Sequence, residues 1–300
     1  LSNTAPDNLD DWTIARVLRF AADDFQKRSH ASPRLDAELL LGDVLGLDRV
    51  QLLVHSGRLL TATELSRYRE SIRRRRAGEP VAYILGRREF YGRTFLVDQR
   101  VLVPRPETEL LVEVALRRTL HRHLSGRALD LCTGSGCVAI SFALERRTWQ
   151  VTGTDVSEDA LALARRNAEA LGAVWGVDFR PGDLFAALAP ASRFELILSN
   201  PPYVPSAEIA SLMVDVRDFE PRLALDGGAD GLTFYARLAE QAGTHLVRGG
   251  VLAVEVGAGQ ARAVESLLSR AGMIEIEIDK DYAGHERVVS ARRGPAAPTR

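Results

Sequence analysis

The sequence predicts an α/β protein in which a parallel, doubly wound sheet follows a small helical domain and a linking hairpin. Three observations carry this. From residue 128 onward, short apolar runs alternate with helix-like stretches, the pattern of a parallel sheet covered on both faces. The first run opens into a turn of small residues, Cys132-Thr133-Gly134-Ser135-Gly136, and the second leads to Asp155, as in a strand–turn–helix–strand unit that binds a nucleotide. Upstream, from Thr13 to about residue 77, apolar residues recur at intervals of three and four, the spacing of one helix face.

In the helical stretch, Ile14, Val17 and Leu18, then Leu35, Leu39 and Leu40, then Leu52 and Leu53 mark successive apolar faces. Asp10 or Asp11, Ser32 before Pro33, and Thr61 or Thr63 stand where helix N-caps belong. Residues 1–85 are therefore expected to form one helical domain. Its run Arg73-Arg74-Arg75-Arg76, with Arg67 and Arg69 before it, reads either as a grip on RNA or an acidic partner, or as a solvated helix end favoured by the macrodipole. Alternation at Phe95, Val97, Val101 and Val103 predicts a β-hairpin over residues 86–105. Pro104 and Pro106 stiffen the chain before a helix from Glu107 to about His121. Strands are then expected at 128–132, 150–154, 177–180, 194–199, 251–256, 274–279 and 286–292, with helices at 137–147, 158–171, 231–247 and 259–271. The last two strands, joined near Tyr282-Ala283-Gly284, make an antiparallel edge. Residues 106–292 thus form the sheet domain, and residues 293–300 a disordered tail.

Composition bounds the function. Of 300 residues, 46% are hydrophobic and 26% charged, as in a globular chain. With 39 basic and 40 acidic residues the net charge is −1, which argues against non-specific nucleic-acid binding through phosphate neutralisation. No apolar run approaches the roughly 20 residues of a membrane span. No signal-like segment opens the chain, and Leu1 in place of Met points to a trimmed or alternative start. Cys132 and Cys137 share one turn, away from Cys or His at zinc-ligand spacing, which suggests a reducing compartment. His121 and His123 fall on different helix faces, so no metal site is expected.

Gly134 and Gly136 permit positive φ and close approach by a ligand, whereas Cys132 is comfortable only at negative φ. The turn also fits the G-x-G-x-x-A pattern of dinucleotide sites. Asp130, just before it, would repel a pyrophosphate and attract a cationic cofactor such as S-adenosylmethionine; capping the turn is its other reading. Asp155 is placed to grip two ribose hydroxyls. Asp183 either accepts from an adenine amino group, with Leu184 against the ring, or makes an Asx turn. The most informative segment is Asn200-Pro201-Pro202-Tyr203, directly after the apolar run 194–199. Two prolines remove two donors and stiffen the turn. Asn200 adds an amide carbonyl and Tyr203 a flat face. Such acceptors at a strand end suit a planar –NH2 group, of an amide or a base, held for attack.

Together these motifs resemble a class I methyltransferase. The stretch Gly86-Arg87-Arg88-Glu89-Phe90-Tyr91-Gly92 followed by Val101-Leu102-Val103-Pro104-Arg105-Pro106-Glu107-Thr108-Glu109 narrows the likeness. So do Asp218-Phe219-Glu220-Pro221-Arg222-Leu223-Ala224-Leu225 and the block from Asp281 to Val289. Over roughly residues 33–292 the chain is similar to the release factor glutamine methyltransferase family (PrmC/HemK). The resemblance implies a Rossmann-like, seven-stranded methyltransferase domain. It implies S-adenosylmethionine bound by Asp130, Cys132, Thr133, Gly134, Ser135, Gly136, Asp155, Asp183, Leu184 and Asn200, with Asn200, Pro201, Pro202 and Tyr203 as catalytic and substrate-binding residues. The implied substrate is the glutamine of the Gly-Gly-Gln tip of peptide-chain release factors, held by the helical domain. A monomeric, cytoplasmic enzyme of translation termination, with no metal and no direct nucleic-acid partner, completes the expectation. Cys132 departs from the family pattern, in which many members carry glycine there.

The wording of the turn also resembles sister enzymes that methylate a glutamine of a ribosomal protein. Two further readings come from other classes. An adenine-amino methyltransferase of DNA or RNA uses a similar motif on a flipped base, but needs a basic surface. A non-catalytic adaptor would have lost the acceptors at Asn200. For an amide substrate the chemistry is clear: its nitrogen lone pair is delocalised into the carbonyl, so the enzyme must orient that nitrogen and accept hydrogen bonds from both N–H groups.

Overall fold

The computed structural model describes residues 12–120 and 124–295. Residues cluster into two compact units, one comprising the chain up to Gly86 together with Val214–Phe219, the other Arg87–Met213 and the chain from Glu220.

Five helices make up most of the first unit: α1 (Ile14–Lys27), α2 (Pro33–Leu45), α3 (Arg49–Val54), α4 (Ala62–Arg76) and α5 (Val81–Leu85). Capping side chains set their starts. Thr13, not Asp10 or Asp11, caps α1, its hydroxyl accepting from the Arg16 N–H; the two aspartates lie outside the described residues. Pro33 opens α2 after Ser32, and reciprocal capping boxes join Asp48 to Gln51 and Thr61 to Glu64, each satisfying helix-end donors. Ile14, Leu18, Phe25, Leu40, Leu41 and Tyr68 fill the core, and the buried Tyr68 hydroxyl donates to the Ala37 carbonyl. Leu39 is half-buried, and Leu35 and Leu53, expected on the buried face, are exposed. The arginine run is neutralised within the unit. Arg73 pairs with Glu70, Arg74 with Glu79 and Arg76 with Asp24. Arg75 is buried against Asp36 at 2.8 Å. Asp24 and Asp36, 52 and 39 positions away, hold Arg76 and Arg75 within the unit, so the run serves the unit's own structure, although the buried Arg75 is not part of a solvated helix end.

In the second unit, β1 (Arg87–Phe90) and β2 (Arg93–Leu96) pair antiparallel. This is shorter than the expected hairpin; Val97, Val101 and Val103 are buried without forming strands. After a 3-10 turn (Pro106–Thr108) come α6 (Glu109–Thr119), β3 (Arg127–Leu131), α7 (Cys137–Glu145), β4 (Gln150–Asp155), α8 (Glu158–Ala170), β5 (Val177–Pro181) and β6 (Phe194–Ser199). The helical turn α9 (Val214–Arg217) lies in the segment that clusters with the first unit. Then follow α10 (Thr233–His245), β7 (Leu246–Glu255), α11 (Ala261–Arg270), β8 (Met273–Lys280) and β9 (Glu286–Arg293). The seven-stranded sheet has the order β5-β4-β3-β6-β7-β9-β8, parallel except where β9 meets β7 and β8. This is the Rossmann-like, mixed sheet with an antiparallel edge that the sequence predicts.

Strand alternation divides the core. Ala128, Leu196 and Leu198 face a cluster with α6, α7, α8 and the hairpin residues Phe90 and Phe95. Leu129 and Ile197 face α10 and α11. Most strand and helix ends fall within about two residues of expectation, and two of the differences bear on the sheet and the tail. β7 begins at Leu246 rather than 251, with a bulge between its pairings to Phe194 and Leu196. β9 runs through Arg293, the first residue of the expected tail; residues 296–300, like His121 and His123, lie outside the described residues. Among the described residues no helix is long and apolar enough to cross a membrane.

Candidate active site

β3 and β6 are neighbours at the centre of the sheet, with β4 and β5 on one side and β7 on the other. The crevice beyond the carboxyl ends of such strands is where open parallel sheets take ligands. Leu131 and Ser199 are register partners, and Ser199 Oγ donates to the Leu131 carbonyl at 2.9 Å. The glycine turn and the Asn200 turn therefore leave the sheet at one level. A cleft opens there, with about 1040 Å³ of empty space counting its mouth.

Most of the expected cofactor residues meet in this cleft. Asp130, Cys132, Thr133, Gly134 and Ser135 line it from the first turn, Asp155 from the end of β4, and Asp183 and Leu184 from beyond β5. Asn200 and Pro202 line it from the end of β6. Gly136, Pro201 and Tyr203 do not. Gly136, at φ +80°, begins α7 with its Cα against Ile140, Phe179 and Ala164, so it fixes helix packing. Pro201 is buried. The Tyr203 ring, expected as a stacking face, instead packs beside Gly257, and its carbonyl accepts from Gln260 Nε2 at 2.9 Å. Its role here is to anchor the loop.

Gly134 adopts φ +53°, and a Cβ on it would meet nothing within 4 Å, which leaves its backbone open to a ligand. Cys132, expected at negative φ, lies at +60°, and Leu184 at +51°. The left-handed conformation costs a side-chain-bearing residue about 1–2 kcal/mol. Two such residues lining one cleft is the clustering of strain that marks ligand sites.

The electrostatics are acidic. Asp155 Oδ2 accepts from the Gly134 N–H and Oδ1 from the Ser157 N–H, both at 2.9 Å; burial nevertheless raises its pKa. Asp130 is fully buried, its Oδ2 accepting from Thr133 Oγ1 at 2.6 Å. Burial pushes it up to about 7, against hydrogen bonds from Thr133 and the Ala139 N–H that lower it. Asp130 thus does brace the turn, and it also lines the cleft. Asp183 is ion-paired with Arg237 at 2.7 Å.

Sequence reasoning missed the cleft's other wall. Val101, Leu102, Pro104, Arg105 and Thr108 line it, as do Pro221, Leu223 and Ala224. Arg105 Nη2 donates to both carboxylate oxygens of the buried Glu220, at 2.7 and 2.8 Å, tying these two stretches together. The family-like blocks around Pro104 and Pro221 were the available signal. Asn200 Nδ2 donates to Thr108 Oγ1 at 3.2 Å, a contact with no local sequence signature.

Comparison with known proteins accords with this geometry. Residues 16–86 match the PrmC N-terminal domain and residues 107–216 the methyltransferase small domain. A release factor glutamine methyltransferase of Geobacter sulfurreducens is 44% identical over 94% of this chain and 98% of its own length. The chain belongs to the release factor glutamine methyltransferase family. Another family member, from Bradyrhizobium diazoefficiens, is 46% identical over 87% of this chain and 88% of its own. For the fold alone, a methyltransferase structure from Pyrococcus furiosus superposes with a TM-score of 0.51 at 20% identity, covering 69% of this chain and 91% of that one.

Release factor glutamine methyltransferases use S-adenosylmethionine, and the cleft suits that cofactor. A buried carboxylate, Asp130, and a half-buried one, Asp155, match its positive charge, and the Gly134 backbone leaves room for close approach. The raised Asp130 has a consequence for pH. Its folded value lies above the ordinary 3.8, so its contribution to stability is fully present below that value and is lost as pH rises through about 7. A bound cation favours the ionised form. Cofactor affinity should therefore rise between about pH 6 and 8, by at most tenfold per unit, with proton release on binding. Calorimetry in buffers of different ionisation enthalpy checks this; binding without proton release in that range contradicts it.

Proposed function

We propose that this chain transfers a methyl group from S-adenosylmethionine to the side-chain amide nitrogen of the glutamine in the Gly-Gly-Gln motif of peptide-chain release factors, as a cytoplasmic monomer acting in translation termination. The observation that supports it best is the state of Asn200: Nδ2 is engaged by Thr108, and Oδ1 is the acceptor that remains at the cleft. An –NH2 group needs such an acceptor.

The cofactor, when bound, supplies an electrophilic methyl group. Asp155 would hold it by the ribose hydroxyls, Asp130 and the Gly134 turn would face its charged end, and Leu184 would pack on its base. Asn200 Oδ1 accepts a hydrogen bond from one substrate N–H and turns the nitrogen lone pair toward the reacting carbon. Pro201, expected to supply the second acceptor, is buried and does not line the cleft, so the second N–H is met by other acceptors there. Nitrogen gains positive charge as it reacts, so these acceptors bind the transition state more tightly than the ground state. Positioning contributes as well, up to roughly 7–11 kcal/mol at the extreme. The proton is lost to water after transfer. The helical unit is assigned to recognition of the protein substrate.

Initial methylation rates on a release factor, on purified ribosomal proteins and on an adenine-containing oligonucleotide, all with labelled cofactor, test the reading. The factor should be modified fastest by a wide margin. Faster labelling of a ribosomal protein would favour the sister activity, and labelling of the oligonucleotide would move the chain to another substrate class.

A further inference from the structure

Three carboxylates line the cleft, those of Asp130, Asp155 and Asp183, against two cations, Arg100 and Arg105. S-adenosylmethionine brings a sulfonium and an ammonium, which suit the acids, and also an α-carboxylate, which does not. A carboxylate taken from water into such a cleft needs a cationic partner. Arg100 is already committed, its Nε and Nη2 donating to the two oxygens of Asp98 at 2.8 and 2.7 Å. Arg105 is placed differently. Its Nη2 is engaged by both oxygens of Glu220, and its Nε and Nη1 donate to no group among the described residues. The Arg105 side chain is 33% exposed, whereas that of Glu220 is 1% exposed.

Arg105 also stands at the fitting end of the cleft. Its carbonyl accepts from the Thr108 N–H at 3.1 Å, in the 3-10 turn whose Thr108 hydroxyl accepts from Asn200 Nδ2 at 3.2 Å. Asn200 marks where the substrate amide meets the methyl group, and the α-carbon of the cofactor lies only two methylenes from the sulfonium that carries that methyl. We infer that Arg105 binds the α-carboxylate of S-adenosylmethionine through its Nε and Nη1 hydrogens, while Glu220 holds the guanidinium from the other side. This rests on the reading of the cleft as the cofactor site with Asn200 at its reacting end.

Two properties of the Arg105–Glu220 pair suit this role. The buried carboxylate fixes the planar guanidinium before the cofactor arrives, so less side-chain freedom is lost on binding. It also balances the arginine's charge, so the pair offers N–H groups to a carboxylate without repelling the sulfonium as a bare cation would. One guanidinium can serve two carboxylates in this way because its donors spread over a planar fork. Without such a donor, the acidic cleft would favour a decarboxylated cofactor, which has one more net positive charge. With Arg105 in place, the cleft recognises the complete amino-acid end.

Calorimetric titration of the protein with S-adenosylmethionine and with its decarboxylated analogue, which lacks only the α-carboxylate, tests this without reference to turnover. Arg105→Gln should lower the ratio of the two affinities at least about tenfold relative to wild type, the loss expected for a hydrogen bond to a charged group. The loss should fall on S-adenosylmethionine and spare the analogue. Arg105→Gln leaves Glu220 buried without its cation, which is destabilising. The double variant Arg105→Gln with Glu220→Gln removes both charges together, should show the same loss, and decides alone if the single variant does not fold by circular dichroism. An unchanged ratio in a folded variant, whether both ligands bind as in wild type or both weaken alike, overturns the inference and leaves Arg105 as a strut of the cleft wall. A wild-type protein that does not bind S-adenosylmethionine removes the reading beneath it.

Discussion

Asn200→Ala is expected to lower single-turnover methylation by roughly tenfold to several hundredfold while cofactor affinity changes little. The substitution removes Oδ1 from the cleft and leaves one substrate N–H unpaired, at a cost of about 1–3 kcal/mol when desolvated. Because the interaction strengthens as nitrogen becomes positive, the loss should appear in turnover as well as in substrate affinity. Asn200→Asp is expected to perform worse than Ala, although it keeps an acceptor oxygen. It cannot donate to Thr108 as Nδ2 does, and it adds a negative charge to a cleft already lined by Asp130 and Asp155. Stopped or quenched single-turnover assays on both variants check the order. Wild-type turnover in Asn200→Ala would mean that the motif only shapes a loop.

Asp155→Ala should weaken S-adenosylmethionine binding by at least tenfold with the fold intact. Hydrogen bonds to a charged group contribute ~1.5–3 kcal/mol each, and two ribose hydroxyls are at stake. The structure adds a second route to the same loss. Both carboxylate oxygens hold backbone N–H groups, those of Gly134 and Ser157, so their removal also loosens the turn that faces the cofactor. Asp155→Asn separates the two routes, since it preserves one acceptor for the turn and removes the charge. Calorimetry on the folded variants measures both; unchanged affinity in Asp155→Ala contradicts the assignment.

Where the sequence was legible, local patterns matched the forces that decide structure. The apolar runs of β3 and β6 are buried on both sides, so composition alone marked them. Thr61 was readable as a helix start because capping is a local requirement, and the start at Ser32-Pro33 because the fixed φ of proline suits a first helical position. The start of β7 was hidden because Val247-Arg248-Gly249-Gly250 lacks an apolar run and carries the bulge. Cys132 was misjudged: steric preference argued for negative φ, and the turn imposes +60°. The carboxylates of the cleft were legible from their places at strand ends. Thr108 was not, because its meaning comes from a contact across the sheet unit; the Asn200–Thr108 bond spans 92 positions. The arginine run of α4 failed to announce its partners for the same reason, with Asp36 lying 39 positions away from Arg75.

The central claim concerns one atom, the side-chain amide nitrogen of a glutamine, and tandem mass spectrometry of a release factor incubated with the purified protein and isotopically labelled S-adenosylmethionine addresses it directly. The account predicts a single labelled methyl group on that nitrogen in the Gly-Gly-Gln motif, absent when Asn200→Ala replaces the wild type over the same short interval. Label on any other residue of the factor, or none on the factor while a ribosomal protein or nucleic acid is modified, would contradict it.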